Sequence, residues 1–192
     1  IGTDEEPSEY TLKVSENANM SDAQVFTTSE EFYDVYNLKV DTEYYWTVSA
    51  AVANGNTMVS NVGTMKTEDK APRIILIGGG FNARDVGGWD TLDGSQVKQG
   101  YLYRTGRLHY ISSSDGTTLK NQLNSSGIKT MAEDLGIKTE IELRQADEMP
   151  LEYTESILGA DVNYVRAPMN YQGDYLSQNK ESIKTVFATF AD

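Results

Sequence analysis

The chain has 192 residues, of which 39% are hydrophobic, and this is enough apolar material for a packed core. Its 29 acidic residues outnumber its 16 Lys and Arg residues, and the formal net charge of -13 argues against nucleic acid as a partner. The absence of Cys excludes disulfides, thiolate metal sites and a cysteine nucleophile within these residues.

The composition also bears on where the protein acts. No run reaches the roughly 18 apolar residues of a membrane span, so we expect none. Ile1 does not open a basic-then-apolar leader, so an export signal would have been removed or lie elsewhere. Twelve Tyr, frequent Ser, Thr and Asn, and no Cys resemble an exported bacterial protein. We therefore expect a secreted or cell-envelope-associated protein.

The first third of the chain has a period of two. Tyr10, Leu12 and Val14 alternate with polar residues, which is typical of half-buried antiparallel strands. Turn-forming residues separate such segments, and Asn54-Gly55 is a strong hairpin signal. The predicted strands lie at about residues 9–15, 23–28, 31–37, 43–53 and 57–67.

Residues 36–50 resemble the late strands of a fibronectin type III domain. In that family a Leu precedes a short turn, and a Tyr whose hydroxyl anchors the corner then starts a strand. Five predicted strands are fewer than the roughly seven of a full sandwich, so the first strands are expected to be missing from the N-terminus. The alternative is a small unrelated antiparallel meander.

A polar segment then marks a change in composition. We predict a fibronectin III-like β-sandwich at residues 1–68, a linker at 69–73 and an α/β domain at 74–192. Ser125 or Ser126 is the expected cap of the central helix, and Gly136 its stop. The predicted elements of the second domain are strands at 74–77, 100–104, 139–144 and 162–165, a helix at 126–135 and an amphipathic helix at 177–191.

A glycine-rich segment follows the strand predicted at 74–77. Gly78, Gly80 and Ala83 match the spacing of a dinucleotide-binding fingerprint. That fingerprint requires the glycines to open a helix, whereas residues 84–88 form a second glycine-rich loop. We therefore expect no nucleotide cofactor.

Four ordered motifs extend from residue 81 to residue 148. They are Phe81-Asn82-Ala83-Arg84-Asp85-Val86-Gly87-Gly88, then Leu102-Tyr103-Arg104-Thr105-Gly106, then Leu135-Gly136-Ile137, and finally Glu142-Leu143-Arg144 with Glu148 nearby. They resemble the bacterial tyrosine phosphatase family related to secreted mycobacterial and Listeria enzymes. Members of that family carry Asn-Phe-Arg-Asp-Leu-Gly-Gly, Leu-Tyr-Arg-Ser-Gly, Leu-Gly-Ile and Asp-Leu-Arg in this order.

The resemblance implies a hydrolase of phosphotyrosine, phosphoserine or phosphoinositide substrates that acts through a phosphocysteine intermediate. The His-Cys-x-x-x-x-x-Arg loop of such enzymes follows a helix resembling residues 177–192, so we expect it beyond residue 192. The alternatives are a non-catalytic binding or adhesion protein on a degenerate phosphatase scaffold, and an accessory module of an exported carbohydrate-active protein. The sandwich would then present a surface to a protein or glycan ligand.

The predicted site residues support the site rather than perform the chemistry. The short polar side chains lock a tight loop, the glycines permit positive φ or close approach, and the arginines hold an oxyanion or pair internally. We expect Arg104 and Arg144 to be structural, through an ion pair with Asp85 or Glu148. The alternative for the loop is a hairpin clasp without chemistry. The full set is Asn82, Arg84, Asp85, Gly87, Gly88, Arg104, Arg144 and Glu148.

Three further features of the sequence carry predictions of their own. His109 has no Cys after it and is predicted to be a surface or boundary residue. Asp90 and Asp93 predict a hairpin at Gly94 rather than a calcium loop, which needs more spaced oxygens. Tyr171 and Tyr175 are predicted to line a loop over the site. We expect no metal site.

Overall fold

The computed structural model describes residues 7–51, 56–112, 114–116, 118–145, 148–149 and 153–168. The chain divides into two compact units, Ile1–Leu108 with Gln122–Gly127, and His109–Asn121 with Ile128–Asp192. Three predictions fall outside the described residues: the Asn54-Gly55 turn, the loop with Tyr171 and Tyr175, and the amphipathic helix at 177–191.

The first unit is built on an antiparallel sheet. Its strands are β1 (Glu9–Ser15), β2 (Gln24–Thr28), β3 (Glu43–Ala51), β4 (Thr57–Val59) and β5 (Gly63–Lys66). The strand order is β2-β1-β3-β4, and β5 pairs with the other end of β3. The strands β1 and β3 begin where the alternating pattern predicted them.

Alternation along β1 and β3 selects the residues that face the core of this sheet. Val14 lies opposite Trp46, and Tyr10 lies opposite Ala50, so the apolar positions of the two strands share one face. Tyr44 also lies on this face, and its Oη accepts a 2.9 Å hydrogen bond from the backbone N–H of Lys39, five residues earlier. This bond ties β3 to the turn that precedes it.

Two predicted strands of this sheet are wrong in detail. Residues 31–37 lie wholly in the described part of the chain and form no strand; Phe32 and Tyr36 are exposed. The predicted strand at 57–67 is interrupted at Ser60, whose Oγ accepts the backbone N–H of Val48 at 3.0 Å. A side chain therefore takes the place of a backbone acceptor, and the ladder stops before β5 begins.

The rest of the first unit is mostly loop. The strands β6 (Arg84–Asp85) and β7 (Tyr103–Arg104) form a short antiparallel ribbon. The strand predicted at 74–77 is wrong, since only Ile74 forms a bridge, with Arg84. Ile75 and Ile77 are buried whereas Ile74 and Leu76 are exposed, so the apolar run is covered on one side only. The strand predicted at 100–104 shrinks to β7.

The second unit contains two small strand pairs. The strands β8 (His109–Ile111) and β9 (Leu119–Asn121) are antiparallel, whereas β10 (Thr139–Glu142) and β11 (Asn163–Arg166) are parallel. The last two strands lie within two residues of their predicted positions. Among the described residues of this unit, the buried apolar side chains are Met131, Met149, Leu158 and Val162.

The predicted central helix is present, with a different cap. It runs as α1 (Ser125–Lys129) and continues as a wider π-helical turn, Thr130–Asp134. Asn124 Oδ1 accepts the backbone N–H of Gly127 at 3.0 Å, so the capping residue is Asn124 rather than Ser125 or Ser126. Gly136 stops the helix with φ 64°.

The described part of the chain is mostly β-structure with few helical residues. In that part, every helix falls short of the length and apolar character that crossing a membrane requires.

Candidate functional site

The first motif loop is held by its own side chains. Asn82 has φ 55°, and its Oδ1 accepts a hydrogen bond from Arg84 Nη2. Arg84 on β6 lies directly opposite Arg104 on β7. Residues directly opposite each other in an antiparallel pair present their side chains on the same face. The structure thus brings Asn82, Arg84 and Arg104 together.

Asp85 is the centre of this loop. It is fully buried, and its carboxylate accepts backbone N–H bonds from Gly87 (2.8 Å) and Gly100 (2.7 Å). It also pairs with Arg73 Nη1 at 3.2 Å. The predicted pairing of Asp85 with Arg104 is therefore wrong, because Arg73 is buried against Asp85 whereas Arg104 is exposed. Sequence reasoning missed Arg73, which is the last residue of the predicted linker.

The two glycines of the motif are required by different constraints. A Cβ on Gly87 would lie 2.2 Å from the carbonyl oxygen of Lys98, so no side chain fits there. Gly88 has φ 89°, a conformation that glycine adopts without strain. Both roles, close approach and positive φ, were the roles predicted for this pair.

The acidic residues after the motif form a hairpin. Asp90 bridges Gln96, and Asp93 Oδ1 accepts the backbone N–H of Ser95 at 3.0 Å. Hydrogen bonds from Thr91 and Ser95 lower the pKa of Asp93 to about 2. The hairpin prediction is confirmed.

Arg144, in the second unit, pairs with Glu142. Its Nε and backbone N–H donate to Glu142 Oε1 at 2.9 Å each, and its Nη2 donates to Oε2 at 2.5 Å. The predicted pairing with Glu148 is wrong, since Glu148 acts on Arg144 only through longer-range charge. Glu142 therefore pairs with the Arg144 guanidinium in place of Glu148.

His109 is fully buried, so the prediction of a surface or boundary position is wrong. Its Nε2 lies 3.4 Å from Glu142 Oε2, and its Nδ1 lies 3.9 Å from Glu140 Oε1. The ring packs against Tyr153 with 4.5 Å between ring centroids. We call His109, Glu140 and Glu142 the His109 cluster. Sequence reasoning missed this cluster. The signal that could have indicated it is that Glu140 and Glu142 lie two residues apart on one predicted strand, so that both side chains are on the same face.

Burial and charge shift the proton affinities around the His109 cluster. Burial raises the pKa of Glu140 despite a hydrogen bond from Ser156 Oγ. Burial also opposes ionisation of Glu142, but the neighbouring His109 and Arg144 outweigh it and hold the pKa of Glu142 well below its usual range. Burial and the two glutamates raise the pKa of Tyr153 and of Tyr164 to about 12.

The first sheet carries an apolar groove of about 530 Å³. Two acidic residues, Glu30 and Glu31, are among the residues that line the groove. A groove lined largely by aromatic and aliphatic side chains is the usual form of a ligand pocket. Its sheet residues include Tyr10, Leu12, Trp46 and Val48.

Comparison with known proteins gives one match. No curated protein and no solved structure matches the chain. A family model described as the tyrosine phosphatase family matches residues 75–191. The match covers more than half of the chain and contains both the Asp85 loop and the Arg144 strand. The chain therefore belongs to the tyrosine phosphatase family.

Proposed function

We propose that this chain is part of a phosphoester hydrolase of the protein-tyrosine or dual-specificity type. The carrying observation is the family match over residues 75–191. The substrate would be phosphotyrosine, phosphoserine or a phosphoinositide, cleaved through a phosphocysteine intermediate. Since the chain contains no Cys, the nucleophile loop would lie beyond residue 192.

The eight predicted site residues would act as support for that loop. Asp85, held by three donors, would fix the shape of the motif loop, and Arg144 would be held by Glu142. Arg84 and Arg104 place two like charges opposite each other, and an anion between them would offset their repulsion. This pairing supports an oxyanion-holding role for the two arginines. Asn82, Gly87, Gly88 and Glu148 complete the proposed support.

We further propose the domain division made from the sequence: a fibronectin III-like sandwich at 1–68, a linker at 69–73 and the front of an α/β phosphatase-like domain at 74–192. The Tyr44 hydroxyl bond to Lys39 supports it, because a tyrosine corner of this kind is a hallmark of such sandwiches. The relation to secreted mycobacterial and Listeria enzymes and the exported bacterial location belong to the same proposal.

The test is hydrolysis of p-nitrophenyl phosphate and of phosphotyrosine and phosphoserine peptides by the polypeptide extended through the residues encoded after Asp192. We expect turnover that vanadate inhibits and that a Cys→Ser change in the loop abolishes. The 192-residue chain alone should be inactive because it lacks the nucleophile. Turnover by the 192-residue chain, or equal inactivity of the folded extended form and its Cys→Ser variant, would overturn the proposal.

A second candidate function is binding without catalysis, with a degenerate phosphatase scaffold. The apolar groove of the first sheet favours it, because a concave site of several hundred Å³ lined mainly by apolar side chains is the usual form of a ligand pocket. The residues encoded after Asp192 separate the two functions. A loop with Cys and Arg in the family spacing supports the hydrolase, and its absence supports the binding protein.

A further inference from the structure

We propose that the His109 cluster binds one divalent first-row metal ion, with Zn²⁺ the preferred ion. The three residues are buried, and each offers one ligand atom such that all three atoms lie within 4.8 Å of one another. The site is separate from the proposed hydrolysis, which needs no metal, so either proposal can fail without the other.

The distances suit a small cation. Zinc ligands lie about 2.0–2.2 Å from the ion, which places two ligands of a tetrahedral site about 3.4 Å apart. The separation of His109 Nε2 and Glu142 Oε2 is 3.4 Å. Glu140 Oε1 lies 3.9 Å from the other ring nitrogen, Nδ1, and the three ligand atoms lie within 4.8 Å of one another, so the Glu140 side chain would turn toward the ion to complete the site.

Buried polar atoms at the cluster point to a missing partner. Among the described residues, neither ring nitrogen of His109 makes a hydrogen bond of good geometry, although Nε2 lies 3.4 Å from Glu142 Oε2, and the hydroxyl of Tyr164 also has no hydrogen-bond partner. A buried polar group without a well-formed hydrogen bond is unfavourable, and three such atoms belong to His109 and Tyr164. A metal ion with a bound water would satisfy one nitrogen and supply a partner for the hydroxyl.

The surrounding residues already orient the ligands. Ser156 Oγ donates to Glu140 Oε2 at 2.6 Å, which leaves Oε1 turned toward His109. Arg144 holds Glu142 through both carboxylate oxygens and also donates to the carbonyl oxygen of His109 at 2.9 Å. Hydrogen bonds that fix the ligating carboxylates are a general feature of metal sites in proteins.

With both glutamates ionised, the charges of the cluster favour a bound cation. Glu140 and Glu142 bring two negative charges, and Arg144 brings one positive charge, so a neutral imidazole leaves one negative charge uncompensated in a buried site. A divalent ion or a second proton on His109 would supply the missing charge. Imidazole and carboxylate ligands suit zinc and its neighbours, and the chain has no thiolate to compete for them.

The sequence makes this test unusually clear, because His109 is the single histidine of the chain. The untagged 192-residue chain is stripped with EDTA and titrated with ZnCl₂ by calorimetry and by imidazole ¹⁵N NMR. We expect one equivalent to bind and the resonance of one ring nitrogen to move to a metal-bound position. Failure of Zn²⁺ to bind, or binding that leaves an imidazole protonated on both nitrogens, would overturn the proposal.

Variants locate the ion. His109→Gln and Glu140→Gln should each weaken zinc binding by more than about 100-fold, and Ser156→Ala by about tenfold, as for residues that orient a ligand. Glu133→Gln, an exposed acid in the same unit, is the matched control and should bind as the parent chain does. Circular dichroism checks that each variant is folded. Unchanged affinity in folded Glu140→Gln would contradict the assignment even if His109→Gln does not fold.

Discussion

Two buried carboxylates of this chain are each satisfied by an arginine, but at different sequence distances. Asp85 pairs with Arg73, twelve residues earlier, and also accepts two backbone N–H groups. Glu142 pairs with Arg144, two residues later on the same segment. A buried carboxylate is tolerated only with such partners, because desolvation of an unpaired charge costs several kcal/mol. These pairs therefore hold the two motif segments in shape.

Asp85→Ala should be strongly destabilising. It removes the acceptor of Gly87 and Gly100 and leaves the Arg73 guanidinium buried without its anion, a change that costs about 3–5 kcal/mol. The measurement is the urea midpoint followed by tryptophan fluorescence. Asp90→Ala, at an exposed position in the same unit, is the control and should shift the midpoint little. Equal shifts for the two variants would refute the role given to Asp85.

Asp93 should titrate with a pKa near 2. Hydrogen bonds from Thr91 and Ser95 stabilise its charged form in the folded chain. Since the folded pKa lies below the ordinary value of 3.8, its stabilising contribution is present above about pH 4 and is lost as the pH falls toward 2. Carboxyl ¹³C NMR measures the pKa directly. In Ser95→Ala the pKa should rise, and an unchanged value would contradict this origin of the shift.

At the scale of elements, β3 is anchored by a side chain rather than by its ladder alone. Tyr44 is buried and its hydroxyl accepts the Lys39 N–H, whereas Tyr45, the next residue, donates to Glu43 at an exposed position. The two tyrosines are neighbours on β3, and their side chains lie on opposite faces of the sheet. They are therefore a matched pair for measuring the anchor.

Tyr44→Phe should lower the free energy of unfolding by about 1–3 kcal/mol, because it leaves a backbone N–H near the core without an acceptor. Tyr45→Phe should change it by less than about 1 kcal/mol. Chemical unfolding of the two variants and the parent chain gives the comparison. A larger loss for Tyr45→Phe would exclude the anchoring role and weaken the fibronectin III-like proposal.

Other elements show why their ends escaped prediction. The strand expected at 57–67 breaks because Ser60 uses its side chain as an acceptor for Val48. The helix expected from Ser125 or Ser126 takes its cap from Asn124 instead. In the first case a side-chain oxygen competes with a backbone carbonyl oxygen, and in the second the choice lies between neighbouring polar side chains with similar local preferences. Packing against the rest of the unit decides which of them makes the bond.

At the scale of the whole molecule, the family was recognisable before any coordinates. The four motifs from Phe81 to Glu148 lie in order within residues 75–191, the range that the family match covers. The absence of Cys was equally plain from the sequence. These conclusions depend on residue order and identity alone.

The sequence by itself determined where β1, β3 and the central helix lie, since their periodicity is a property of neighbouring residues. It also determined the conformational roles of Gly87 and Gly88. Only the tertiary structure decided that Asp85 pairs with Arg73 and that His109 is buried beside two glutamates. Ion pairing and burial depend on which segments meet in space, and the local sequence pattern does not show which segments these are.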